Sequence, residues 1–216
     1  MARATRPLRA DAERNRQAII CAAATVFAKE GASVTLEHIA AEARVGVGTI
    51  YRRFASIDEL LAVVLEAKMA QYADESEAAA ERARTEPWPA FRDYVFFILE
   101  QQATDIAFNE VILDFRGGSA LFQGEKARAY RASLLLTNRA LEAGVIRPDF
   151  DHSDLYLLQN AAAGLMRGAR KSAPDAWRRL GDYMLQAFRV QGDEELAPPP
   201  KVGLRTGVPR GAKMST

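Results

Sequence analysis

Residues Thr35–Phe54 read TLEHIAAEARVGVGTIYRRF, and this stretch decides the fold. Leu36, Ile39, Ala40 and Ala43 recur at helical spacing, and Thr35 stands before them as a natural N-cap. Arg44-Val45-Gly46 breaks the pattern. A second run from Val47 puts Ile50 and Phe54 on one face and leaves Thr49, Arg52 and Arg53 pointing mainly elsewhere. Ala40 and Ala43 are small enough for the second helix to approach the first closely. Two short helices joined at a steep angle by a tight turn make a helix-turn-helix, whose second helix lies in a DNA major groove. The stretch implies DNA binding.

The flanks extend the pattern. Upstream, residues 19–31 read as a helix with Ile20, Ala23 and Phe27 along one stripe, closed by Gly31. Downstream, Ser56 and Glu59 stand in capping-box register at the start of another helix. Taken together, residues 14–62 resemble the N-terminal domain of the tetracycline-repressor-like (TetR) transcriptional regulators. Ala22/Ala23, Phe27 and Gly31 match that family's first helix. Thr35, Ile39, Ala40 and Ala43 match the second; Gly48, Tyr51 and Phe54 match the third; Ser56 and Leu60 open the fourth. Three positions depart from the family pattern. Arg44 stands where the turn usually has glycine, Gly46 where a serine opens the third helix, and Ile57 where a lysine reaches a phosphate. A residue other than glycine at 44 costs about 1 kcal/mol if the backbone there is left-handed.

The resemblance implies roles for particular residues. Val47 and Thr49 are expected near base edges, where threonine bonds a base and its methyl meets a thymine. Tyr51, Arg52 and Arg53 are expected on phosphates, with Thr35, Arg44, Gly46 and the basic arm (Arg3, Arg6, Arg9) alongside them.

Charge distribution agrees with a single DNA-facing end. Residues 1–55 carry nine Lys/Arg and five Asp/Glu, and residues 56–192 carry sixteen and twenty, although the whole chain is only +1. At 216 residues and 49% hydrophobic, the chain has enough apolar content for one sizeable core and a small satellite domain. One cysteine excludes an intramolecular disulfide framework, no apolar run approaches a membrane span, and the first residues lack a signal-peptide core. A cytoplasmic location is expected.

The rest reads as helix almost throughout, with no useful strand alternation and no repeat, so the fold class is all-α with about nine helices. Pro87-Trp88-Pro89 separates an expected helix over 56–84 from the next over 91–102, and further helices are expected over 106–115, 121–143, 155–170 and 174–191. The expected division is a disordered basic arm over 1–12 and a helix-turn-helix domain over 13–55. A helical effector-binding and dimerisation domain follows over 56–192, then a disordered Pro/Gly-rich tail over 193–216.

Two further sites follow from the resemblance. Leu155, Leu158, Ala162 and Leu165 make one stripe, and Trp177, Leu180, Met184 and Phe188 another. Two such helices from each of two subunits are expected to form a four-helix dimer interface, which would suit palindromic half-sites on double-stranded DNA. Phe96, Phe97, Ile112, Phe115, Phe122, Leu135, Met166 and Trp177 are expected to line a mainly apolar effector pocket for an unidentified small molecule.

No cofactor is expected, and enzyme chemistry is poorly supported. His38 and His152 lie far apart, Cys21 sits on a core-rich helix, and Asp149, Asp151 and Asp154 read as helix caps. Gly46-Val47-Gly48 lacks the rest of a dinucleotide fingerprint. The remaining alternative is a DNA-binding regulator without a ligand, controlled by a protein partner or by abundance.

Overall fold

A computed structural model describes residues 5–113 and 122–189, with side chains from Glu13 onward. Among the described residues the chain is all-α. Its helices are α1 (Thr5–Glu30), α2 (Leu36–Glu42), α3 (Val47–Tyr51), α4 (Ile57–Arg82), α5 (Pro87–Thr104), α6 (Ile106–Ile112), α7 (Gln123–Glu142), α8 (Ser153–Ala169) and α9 (Ala176–Phe188). Helix α1 begins well before the expected start. Residues 5–12, expected as a disordered arm, are its first turns, because nothing between Thr5 and Ile19 except Pro7 breaks a helix, and proline is tolerated in a first turn. The side chains of Arg6 and Arg9, Arg3 itself and the tail over 193–216 lie outside the described residues.

The chain forms two compact units that do not follow the linear division. The first takes residues 1–68 together with 104–121, and the second takes 69–103 together with 122–216. In the first unit α1 packs on α2 and α6, and α2 packs on α3. Its buried apolar set includes Ile19, Phe27, Ile39, Ile50 and Leu60, each fully buried. Burying each such side chain contributes about 1.5–3 kcal/mol.

Helix α6 joins this unit through polar contacts. The Glu110 carboxylate accepts the Ala32 N–H at 2.9 Å, just past the end of α1. Gly31 ends α1 with φ +81°, and a Cβ there would lie 2.7 Å from the Glu110 Oε1. Only glycine meets both the left-handed backbone and that approach. At the other end of α6, Asp105 accepts the Phe108 N–H as N-cap and pairs with Lys68 Nζ at 3.1 Å. Lys68 also lies over the Phe108 ring.

In the second unit α8 packs on α9. Phe91, Phe150 and Phe188 form an edge-to-face cluster with centroids 4.9–6.4 Å apart. The Arg147 N–H donates to the Phe188 carbonyl at 2.9 Å, which ties the segment after α7 to the end of α9. Arg128 on α7 donates to Asp74 and Glu77 on α4, and Arg139 donates to the Ala80 carbonyl. Two polar pairs also lie in the interior. Ser76 Oγ meets Tyr94 Oη at 3.2 Å, and Ser133 Oγ meets His152 Nε2 at 2.8 Å. Burial lowers the His152 pKa to about 4. No helix among the described residues is long and apolar enough to cross a membrane.

Candidate nucleic-acid interface

The α2–turn–α3 segment is held by local bonds and a few buried side chains. Thr35 is extended (φ −105°, ψ 159°), and its hydroxyl accepts the His38 N–H at 3.2 Å, which caps α2. Ala43 N–H reaches Ile39 O and Val45 N–H reaches Ala40 O, so the chain leaves α2 through a tight turn. That turn puts Arg44 at φ 55°, the left-handed region a glycine would occupy without strain. Gly46 then caps α3 from an extended backbone without a side-chain bond. Ile39, Ala40 and Ile50 are fully buried and Phe54 nearly so, which fixes the angle of α3. Beyond it Ser56 Oγ accepts the Glu59 N–H at 3.1 Å as in a capping box, and the Glu59 carboxylate reaches back one residue further, to the Ala55 N–H at 2.6 Å.

This packing leaves one face outward. Val47 is 46% exposed and Tyr51 50%, unusual values for large apolar side chains. Thr35, Arg44, Gly46, Arg52 and Arg53 are exposed too, and Thr49 is half-buried. Arg52 donates to Thr49 Oγ1 at 3.3 Å. All eight residues expected to meet DNA therefore lie in one short segment with at least part of each side chain or backbone accessible. Nothing lies within 4 Å of a Cβ built on Gly48, so the chain's own packing does not require glycine there.

One contact at this face was not foreseen. Tyr51 Oη donates to Glu37 Oε1 at 2.5 Å. The Tyr51 bond, the residue's own N–H and the Thr35 hydroxyl hold the Glu37 carboxyl below its ordinary pKa, and the carboxylate raises that of the Tyr51 phenol. A sequence signal existed, since Glu37 and Tyr51 flank the turn on the polar sides of their helices, but spacing alone does not pair them.

The expected effector residues are not gathered at one place. Met166 and Trp177 line a cavity of about 50 Å³ with Ala103, Leu165, Arg170 and Pro174. Phe97 stacks on Tyr72 at 5.6 Å, and Phe96 packs where Gly181 lets α9 approach α5. Phe122 is half-buried at the start of α7. Leu135 points outward, 39% exposed, because Leu136 takes the buried position on that turn of α7. Ile112 belongs to the first unit, not with the others. Phe115 lies outside the described residues.

Of the expected dimer stripes, Leu155, Leu158, Ala162, Trp177 and Phe188 are buried in the chain's own core. Leu165, Leu180 and Met184 are half-buried. The stripes were placed on the more hydrophobic face of each helix, which is the face that folding consumes first. The open face of α8 carries Leu157, Ala161, Gly164 and Gly168, and that of α9 carries Leu180, Tyr183, Met184 and Ala187.

Residues 19–64 match the family described as bacterial regulatory proteins, tetR family. Among solved structures, the chain resembles a TetR transcriptional regulator from Streptomyces coelicolor at 27% identity and TM-score 0.51, over 81% of this chain and 98% of that one. It resembles the TetR transcription regulatory protein from Mycobacterium vanbaalenii at 25% identity and TM-score 0.50, over 85% and 100%. The fold also matches SmeT, the repressor of the Stenotrophomonas maltophilia multidrug efflux pump SmeDEF, at 24% identity and TM-score 0.56, over 86% and 97%. No curated protein sequence matches. Over residues 19–64 the chain therefore carries a helix-turn-helix DNA-binding domain of the tetR family of bacterial regulatory proteins, and over most of its length it resembles regulators of transcription.

Proposed function

We propose that this protein is a cytoplasmic, homodimeric repressor that holds a palindromic operator and releases it when a small, mainly apolar effector binds the second unit. The observation that carries this reading is the exposed row Val47, Tyr51, Arg52 and Arg53 on a helix fixed from behind by Ile39, Ile50 and Phe54. Helix α3 enters the major groove with Val47 and Thr49 at base edges. Tyr51, Arg52, Arg53, Arg44 and Thr35 take phosphates. Gly48, free of any steric need inside the chain, lets the sugar-phosphate backbone come close. Most of the affinity is electrostatic and falls steeply as salt rises.

The second copy packs on the open face of α8 and α9, where Ala161, Gly164 and Gly168 permit close helix approach and Leu157 and Tyr183 supply apolar area. The effector enters beside Met166 and Trp177, where the lining is mainly apolar and the cavity of about 50 Å³ widens to hold it. Such a molecule releases DNA by binding better to a state whose recognition helices no longer match the half-site spacing. Reversing a 99:1 occupancy takes about 5.5 kcal/mol of differential affinity.

Selection of bound duplexes from a random pool, followed by release assays on the recovered duplex with a panel of apolar metabolites, tests both parts. A recovered palindrome with one class of releasing compound is the expected result. A non-palindromic product contradicts the dimer, and no release by any compound favours control by a protein partner or by abundance.

A further inference from the structure

We infer that Glu37 limits the affinity of this protein for DNA by occupying, in the free protein, the Tyr51 hydroxyl that a DNA phosphate uses in the complex. The inference rests on the reading above that Tyr51 meets a phosphate.

Three observations carry it. First, the carboxylate of Glu37 is an acceptor-only anion, and it takes the Tyr51 O–H at 2.5 Å, a charge-assisted bond. Second, Glu37 stands in the first turn of α2, whose N-cap is Thr35, so its carboxylate lies at the same helix end as two side chains assigned to the DNA backbone, Tyr51 and Thr35. A carboxylate and a phosphate ask for the same donors, so each excludes the other. Third, Glu37 and Tyr51 are both exposed, and the hold of α3 on α2 comes from Ile39, Ala40 and Ile50 beneath them. The packing of the two helices does not depend on the Glu37–Tyr51 bond.

The consequence is a competition on the binding face. An arriving phosphate displaces Glu37 from Tyr51 and then stands beside its negative charge. Both effects weaken the complex, and they have different signatures. Repulsion by the charge acts whatever occupies position 51. Competition for the hydroxyl vanishes when the hydroxyl is gone.

A double-mutant cycle separates them. Fluorescence anisotropy with a labelled duplex of mixed sequence at low ionic strength gives affinities for the wild type, Glu37→Gln, Tyr51→Phe and the double variant. Glutamine keeps the shape and loses the charge, and both sites are exposed, so circular dichroism is expected to be unchanged. Glu37→Gln is expected to tighten binding by about threefold to tenfold. Tyr51→Phe is expected to weaken it, and in the Y51F background the gain from Glu37→Gln is expected to shrink to less than about twofold. An equal gain in both backgrounds, or no gain in either, overturns the inference while leaving Tyr51 as a phosphate contact. Wild-type affinity in Tyr51→Phe overturns the inference together with the assignment of Tyr51 to a phosphate.

Discussion

Between Glu13 and Lys68 every buried side chain is apolar, the buried polar residues of the first unit being Asp105 and Asn109 on its α6 segment, whereas the second unit buries Ser76, Gln102, Ser133, Thr137 and Ser153, with His152 largely enclosed. The reading segment keeps its polar groups outside, on Thr35, Glu37, Tyr51, Arg52 and Arg53. The second unit holds polar pairs in its interior, Ser76 on α4 with Tyr94 on α5 and Ser133 on α7 with His152 before α8. The two arrangements follow different physics. An apolar core is tolerant of pH and holds a surface in one geometry. A buried polar pair stabilises only the packing that satisfies both members, and losing one partner leaves the other unpaired in a low dielectric. Both amide atoms of Gln102 and the hydroxyl of Ser153 have no hydrogen-bond partner, and neither has Asn109 Oδ1 in the α6 segment of the first unit. A stiff apolar platform suits an element that must match a groove.

The contrast is broken most severely by removing part of the apolar core. Phe27→Ala empties a fully buried site and is expected to cost about 3–5 kcal/mol in denaturant unfolding, about equally at pH 7 and pH 5. A strong pH dependence of that loss would mean that Asp105 and Glu110, the carboxylates that tie α6 to this unit, carry part of it.

The next effect belongs to the Ser133–His152 pair. His152 has a pKa of about 4 when folded against about 6.5 when unfolded, so the unfolded chain binds more protons between those values. Its contribution is fully present above pH 6.5 and is lost as pH falls toward 4, about 3 kcal/mol in all. His152→Asn should remove that slope, leaving only the carboxylate contribution. Unfolding curves that keep the same pH slope in both proteins would contradict a buried neutral imidazole.

The smallest effect sharpens the comparison within the turn. Arg44→Gly relieves a left-handed arginine and is expected to stabilise the protein by about 1 kcal/mol. If Arg44 also holds a phosphate, the same change weakens DNA binding; a stabilised variant with unchanged affinity assigns Arg44 to the turn alone.

How much of this was legible in the sequence depends on distance along the chain. The cap at Thr35, the left-handed turn at Arg44 and the Ser56–Glu59 box are fixed by neighbours a few residues away, and spacing exposes them. The Glu110–Ala32 bond spans 78 residues, and no local pattern marks it, which is why α6 was grouped with the helices around it in sequence. The interior polar pairs were hidden for the same reason: their four members come from four separate segments. For α8 and α9, periodicity identified the more hydrophobic stripe but not which stripe the core would take. A second, smaller-residue stripe through Leu157, Ala161, Gly164 and Gly168 was the available signal for the open face.

The central claim is that α3 reads DNA with the residues its packing leaves outside. Its most direct test is the affinity of wild type, Tyr51→Ala and Thr49→Ala for a duplex recovered by selection and for a scrambled one. Tyr51→Ala is expected to weaken binding to both alike, and Thr49→Ala to change preference at one base position while sparing affinity for the scrambled duplex. Equal losses on both duplexes for both variants, or no preference of the wild type for either, would contradict the account.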